Sequence, residues 1–405
     1  MNRLGIPSGF RRKPVAMAKI FLKKNEERRL KKGHLWVFSN EIEKTDGVAE
    51  GGLTEIFDFS GRFLAIGYYN PSTLIAARIL SFDPDPIGPN FFRRKIETAL
   101  NFAPRQISRK EARRLIYGEA DFLPGLVADR YGDYLTVQVL TLGMEKLKND
   151  WLPVLLENLS PQGALWVGDS PLRQLEGLPL FREVFSGEVP DTVEIMEGKL
   201  VFSVDLKNGQ KTGFFLDQKE NRKKLAQWVK GKRVLDLFCY TAAWGLTALH
   251  YGAREAVAVD ESRPALDLGY ENALLNRMET KIRFEKADVF NYLATPPSDD
   301  KKFGVVILDP PALIKSKKHF EEGKKGYFTL NRRALDWLVP GGILVPCSCS
   351  FHMDKQTLWE LVNVAALKAG RKLRLVDYGT QAPDHPILAA MPETEYLKCF
   401  VFHVL

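Results

Sequence analysis

The sequence predicts an α/β chain: a doubly wound, Rossmann-like parallel sheet in the C-terminal half, preceded by a small β barrel and a small α+β unit. Beyond about residue 190, β-rich runs alternate with helical stretches. Those runs are apolar at every position, as strands buried on both faces must be. Residues 20–80 differ, giving only short β segments split by turns. A length of 405 residues exceeds one ordinary core. At roughly 100–200 residues per domain it implies two or three units.

Barrel strands are expected at residues 20–22, 35–38, 53–57, 63–69 and 76–80, with Gly51-Gly52 and Asn70-Pro71 as breakers. Residues 83–89, with Pro84, Pro86 and Pro89, cannot continue a sheet and read as a linker with a boundary near residue 85. A basic helix is expected at 91–103. Two strands around the Gly132-Asp133 turn follow within 125–139, then a helix near 144–158 and a strand at 164–167. This unit shows no catalytic constellation. The sheet strands fall at 234–238, 256–260, 305–309 and 343–345, with helices at 263–277 and 328–338 between them. The expected domains are 17–85, 90–190 and 191–405.

A hydrophobic content of 45% with 27% charged residues matches a globular chain, and no apolar run approaches a membrane span. Four cysteines in so long a chain do not make a secreted disulfide scaffold. Free thiols and a cytoplasmic setting follow. The net charge of +8 is uneven, because residues 1–32 hold 11 Lys/Arg against two Glu, leaving 47 basic and 48 acidic residues beyond. Such an arm either meets a polyanion or is a solvated tail, and charge alone leaves both open. Residues 1–16 carry no acid and read as a transit-like stretch, or as sequence upstream of a start at Met17.

Doubly wound sheets bind ligands beyond the carboxyl ends of their strands, so strand-closing residues come first. Three of the four runs carry an aspartate at or near their carboxyl end. Asp236 lies just before a turn opening a helix, and Asp260 follows at the spacing of about 20 residues where an acid grips a ribose. Asp288, after residues 282–285, is a third candidate. Each alone reads equally as a helix cap or a surface acid; together they point to a nucleotide site. The loop 239–245 lacks the G-x-G-x-x-G pattern, so close approach to a pyrophosphate is not indicated. A phosphate-free nucleoside such as S-adenosylmethionine has no need of it. Asp309-Pro310-Pro311 closes the third run as a rigid turn, since neither proline carries an N–H and Asp309 is held extended.

Cys347 and Cys349 end the fourth run. Their alpha carbons, roughly 6.6 Å apart on one strand face, suit a thiol pair better than a disulfide. Zinc is a weaker reading, because Cys399 and His403 on a terminal strand stand about 13 Å apart. Cys347 reads as a core residue. Cys349 lies two positions past the apolar run, where it can share the ligand edge with Asp309, and the Lys315, Lys317 and Lys318 cluster would lower its pKa if folded over it.

These segments together resemble the ribosomal RNA large-subunit cytosine-5 methyltransferase family, class I enzymes that use S-adenosylmethionine and carry an N-terminal PUA domain. The resemblance runs from Met17 over nearly the whole chain. Residues 32–42 are similar to the PUA opening, 174–178 to the end of the middle domain and 210–218 to the segment before the catalytic sheet. Asp217 with Glu220 also reads as a capping box. The resemblance implies cofactor contacts from Asp236, Phe238, Tyr240, Thr241, Asp260, Ser262, Asp288, Val289 and Asp309. It implies substrate contacts from Pro310, Pro311 and Lys315, and a nucleophile at Cys349 within Ser348-Cys349-Ser350, with Asp309 stabilising the protonated ring near N3. No metal is implied. The partner implied is large-subunit ribosomal RNA, and a homodimer is compatible with it. One departure is Ala242 and Ala243, where the family often has glycine. The rival readings are a guanine-nitrogen RNA methyltransferase, which needs no thiol, and a non-catalytic RNA-binding assembly factor.

Overall fold

The computed structural model describes residues 18–102 and 110–405. Residues 1–17, which carry part of the basic arm and both readings of the chain start, lie outside them. Among the described residues no helix is long and apolar enough to cross a membrane.

The first unit is a six-stranded sheet: β1 (Ala18–Leu22), β2 (Trp36–Phe38), β3 (Ile42–Asp46), β4 (Gly52–Phe57), β5 (Phe63–Tyr69) and β6 (Ile75–Ser81), in the order β2-β6-β5-β4-β1-β3. β1 joins its halves by pairing parallel with β4 and antiparallel with β3. Ile20, Leu22, Val37, Ile56 and Ile79 fill its core. Gly67 permits the tight crossing of β5 over β6, where a Cβ would lie 2.2 Å from the Arg78 carbonyl oxygen.

The second unit contains α1 (Pro89–Leu100), β7 (Arg113–Tyr117), β8 (Leu126–Tyr131), β9 (Tyr134–Val139), α2 (Leu142–Lys146), α3 (Lys148–Leu159), β10 (Gly163–Gly168), α4 (Leu172–Leu175) and β11 (Phe181–Gly187). Its sheet runs β11-β10-β9-β8-β7. Phe91, Phe92, Trp151 and Trp166 form its core, with the two indoles edge to face at 6.0 Å. The barrel does not hang on a free linker. Tyr68 of β5 is buried in this second core, where its hydroxyl donates to the Pro124 carbonyl at 2.8 Å and pairs with Thr141 Oγ1 at 2.9 Å. Asn70 Nδ2 donates to Glu176 Oε2 at 2.8 Å, and Arg78 pairs with Glu119 at 2.9 Å.

A hairpin, β12 (Thr192–Glu197) and β13 (Leu200–Asp205), leads into the third unit. That unit holds α5 (Lys219–Lys224), β14 (Arg233–Leu237), α6 (Ala243–His250), β15 (Glu255–Asp260), α7 (Arg263–Leu275), β16 (Ile282–Lys286), α8 (Val289–Tyr292), β17 (Phe303–Leu308), α9 (Phe320–Asp336), β18 (Leu338–Ser348), α10 (Lys355–Lys368), β19 (Leu373–Gly379) and β20 (Lys398–Val404). The seven strands run β16-β15-β14-β17-β18-β20-β19. Alternate residues face opposite cores: Val234, Val305, Ile307 and Val345 on one side, Leu235, Val306, Leu308 and Leu344 on the other. The sheet is therefore doubly covered, as expected, but not wholly parallel. β20 inserts antiparallel between β18 and β19, bringing Cys399 opposite Cys347. Strand order reverses at β14, which opens a crevice beyond the carboxyl ends of β14, β15 and β17.

Candidate active site

That crevice is a cavity of about 440 Å³. Of the residues singled out in the sequence, Phe238, Tyr240, Thr241, Asp260, Asp288, Val289, Asp309, Pro310, Pro311 and Cys349 all line it. Asp236, Ser262 and Lys315 do not.

The loop after β14 forms one wall through unusual backbone. Phe238, Tyr240 and Ala242 take φ values of 60°, 49° and 61°, a left-handed region that glycine adopts at least cost. Ala242 occupies one of the positions where the sequence departs from glycine. What holds the loop is a pair of aspartates. The Tyr240 N–H donates to Asp260 Oδ2 and the Ser262 N–H to Asp260 Oδ1, both at 2.9 Å. The Gly245 N–H donates to Asp236 Oδ2 at 2.8 Å, and a Cβ on Gly245 would stand 3.2 Å from that oxygen. Asp236 lies fully buried beneath the loop and does not line the cavity. Burial pushes its pKa up to about 8, against the Gly245 hydrogen bond, so it is largely protonated at neutral pH. Ser262 is occupied as the cap of α7, its Oγ accepting from the Ala265 N–H. Asp288 caps α8 through the Asn291 N–H at 2.8 Å and still lines the cavity.

The opposite wall carries the acid and the thiol. Asp309 Oδ1 accepts from Gln218 Nε2 and Oδ2 from Trp244 Nε1, each at 3.0 Å. Asn221 Nδ2 donates to Gln218 Oε1 at 2.7 Å, which turns the Gln218 amide so that its donor meets Asp309. Burial raises the Asp309 pKa despite both bonds. Cys349 Sγ stands 3.9 Å from the Pro310 carbonyl oxygen. Burial also raises the thiol; Lys211 and Lys398 pull it down, and Asp309 and Asp217 push it up. Cys347 packs in the core beneath.

The flanking serines point inward. Ser348 Oγ donates to the Tyr327 hydroxyl, which pairs with Ser350 Oγ, both at 2.9 Å, and the Ile314 N–H donates to Ser350 Oγ at 3.1 Å. Lys398 Nζ donates to the Ser350 and Tyr396 carbonyls at 2.8 Å. The nucleophile loop is thus tied to α9, to the turn after Asp309 and to β20.

Sequence reasoning missed Lys211, Gln218, Tyr396 and Lys398. Lys211 Nζ lies 4.4 Å over the Phe215 ring and 3.4 Å from Asp217 Oδ2, which also accepts from the Tyr396 hydroxyl at 2.7 Å. The signal available was the polar stretch 210–218 itself. Two expectations fail here. Asp217 is no cap, because its carboxylate is taken by Tyr396 and Lys211, while Glu220 pairs with Lys223. Lys315, Lys317 and Lys318 stand exposed outside the cavity, and the cations that act on the thiol are Lys211 and Lys398.

The donor set fits S-adenosylmethionine. Asp260 and Asp288 offer acceptors for ribose hydroxyls and ring amine, Phe238 and Val289 offer apolar faces, and no nest of glycine amides is built for phosphate.

Comparisons with known proteins agree with this geometry. A PUA-like domain profile matches residues 20–82, and the S-adenosylmethionine-dependent methyltransferase profile matches residues 179–397. The chain is 39% identical over 394 residues to ribosomal RNA large subunit methyltransferase I of Tolumonas auensis, covering 95% of this chain and 99% of that one. Its counterpart in Aeromonas hydrophila is 39% identical over 392 residues, covering 95% and 98%. A SAM-dependent methyltransferase from Streptococcus mutans superposes with a TM-score of 0.82 at 20% identity, covering 95% and 99%, which speaks for the fold. The switch-point cavity, the paired aspartates and a 39% identity that runs over nearly the full length converge on one assignment: the chain is an S-adenosylmethionine-dependent methyltransferase with a PUA-like domain, and it belongs to the ribosomal RNA large subunit methyltransferase I family.

Proposed function

We propose that the protein methylates carbon 5 of a cytosine in 23S ribosomal RNA through a covalent bond to Cys349. The observation that carries this reading is that Cys349 shares one cavity with Asp309, across from the nucleoside-binding loop. A nitrogen acceptor would need no such thiol. Large-subunit ribosomal RNA is the substrate named for the relatives. The units divide the work: residues 17–85 and the basic arm engage RNA, 90–190 seat the barrel, and 191–405 perform the reaction.

Carbon 5 of cytosine is a poor nucleophile, so the ring must first be activated. The Cys349 thiolate adds to carbon 6, and the displaced electron pair moves through carbon 5 and carbon 4 toward N3. Asp309, whose acid form burial favours, is placed to donate a proton to N3 and become the carboxylate that Gln218 and Trp244 already solvate. Lys211 favours the thiolate before attack. Bound S-adenosylmethionine supplies the sulfonium methyl that the electron-rich carbon 5 accepts. Removal of the carbon-5 proton re-forms the ring double bond, expels Cys349 as thiolate, and lets Asp309 recover its proton from N3. A paired target must first leave its stack.

The test is RNA containing 5-fluorocytosine, in which the carbon-5 substituent cannot leave as a proton. Wild-type enzyme with cofactor is expected to form a covalent protein–RNA adduct, and Cys349→Ala none. Absence of the adduct with wild-type enzyme on RNA it demonstrably binds overturns the proposal.

A further inference from the structure

The rim beside the nucleophile carries a second pattern that the cavity does not use. Phe351, two residues past Cys349, is 50% exposed, its ring braced edge-on by His352 at 5.1 Å. Ile314 and Ser350 are fastened by the 3.1 Å hydrogen bond from the Ile314 N–H to Ser350 Oγ, inside the Tyr327 hydroxyl cluster. Lys315 and Phe351 each follow directly on one partner of that hydrogen bond. Lys315, Lys317 and Lys318 are all exposed, and none forms an ion pair among the described residues. The acids Glu321 and Glu322 follow only at the start of α9. An exposed ring with a run of unpaired lysines is the footprint of single-stranded nucleic acid: the ring stacks a base and the lysines hold its phosphates.

Resting on the RNA reading above, we propose that Phe351 stacks on a nucleotide flanking the target cytosine while Lys315, Lys317 and Lys318 bind the adjoining backbone. Moving a cytosine to the Cys349 sulfur strips its neighbour of a stacking partner. Phe351, exposed two residues beyond that sulfur, replaces that partner.

The experiment uses full-length protein and an unmodified 23S ribosomal RNA transcript, made with and without 5-fluorocytosine. Phe351→Ala is expected to weaken RNA binding roughly five- to hundredfold, the range of one lost base–aromatic stack, with Phe351→Trp restoring it. Replacing the three lysines by glutamine is expected to flatten the plot of log affinity against log salt by about two, the single-strand value for three phosphates. S-adenosylmethionine affinity, measured by calorimetry, stays at the wild-type value in both, which excludes misfolding. Unchanged RNA affinity and adduct rate in Phe351→Ala overturn the rim while the cytosine-5 reading stands, and the same result with a changed oligomeric state assigns Phe351 to a protein contact instead. Loss of RNA binding in Phe351→Ala, with no adduct from wild type, supports the rim and sinks the cytosine-5 reading.

Discussion

Cys349 sits among opposed charges. Burial, Asp309 and Asp217 hold its proton on, while Lys211 and Lys398 draw it off. Of the two cations Lys211 faces the cavity, and Lys398 is spent on two carbonyls. The ascending limb of methylation rate against pH reports the thiolate. Lys211→Met is expected to move that limb to higher pH, and Lys211→Arg to leave it in place. Single-turnover rates measured across pH check this, and an unmoved limb in the Met variant removes Lys211 from the chemistry. Asp309, Cys349 and Asp260 were legible in the sequence because each ends, or closely follows, a recognisable strand. Lys211, Gln218, Tyr396 and Lys398 were not, since their positions depend on contacts such as Tyr396 to Asp217, 179 residues apart in sequence.

The loop from β14 to α6 shows how a buried acid can matter without lining the cavity. Asp236 has a folded-state pKa of about 8, above its ordinary value of 3.8. Its contribution to stability is complete below the ordinary value and is lost as pH rises through about 8. Across that window wild type is expected to lose stability relative to Asp236→Asn by up to about 1.4 kcal/mol per pH unit, then to run parallel to it above. Denaturant unfolding at a series of pH values checks this, and parallel curves throughout exclude a buried protonated Asp236. The four central strands were readable from their unbroken apolar runs. β7, β11, β12 and β16 were not read as strands, because charged residues such as Arg113, Arg114 and Glu183 interrupt the pattern at edges and half-covered positions.

Across the whole molecule, the proline-rich stretch at 83–89 separates two sheets in sequence but not in energy. Tyr68 belongs to the barrel by chain and to the neighbouring core by contact. Tyr68→Phe leaves the Pro124 carbonyl and the Thr141 hydroxyl short of a partner, an expected cost of about 1–3 kcal/mol. Barrel and middle unit are expected to unfold together in wild type and in the variant, seen as coincident transitions by tryptophan fluorescence and circular dichroism. Separate transitions in wild type would uncouple them. The order of the three units was legible from turn chemistry and periodicity. Their docking was not, because a buried tyrosine in a strand gives no sign of which core encloses it.

The hydroxyl cluster of Tyr327, Ser348 and Ser350, with the Ile314 amide, welds the sulfur-bearing turn to the turn that follows Asp309. Sulfur and acid are thus two jaws of a single casting, with their spacing set before any guest arrives. The same cavity is lined by Lys211 and Phe215, on a segment whose backbone turns through Lys211 at φ 51° and Gly213 at φ 129°.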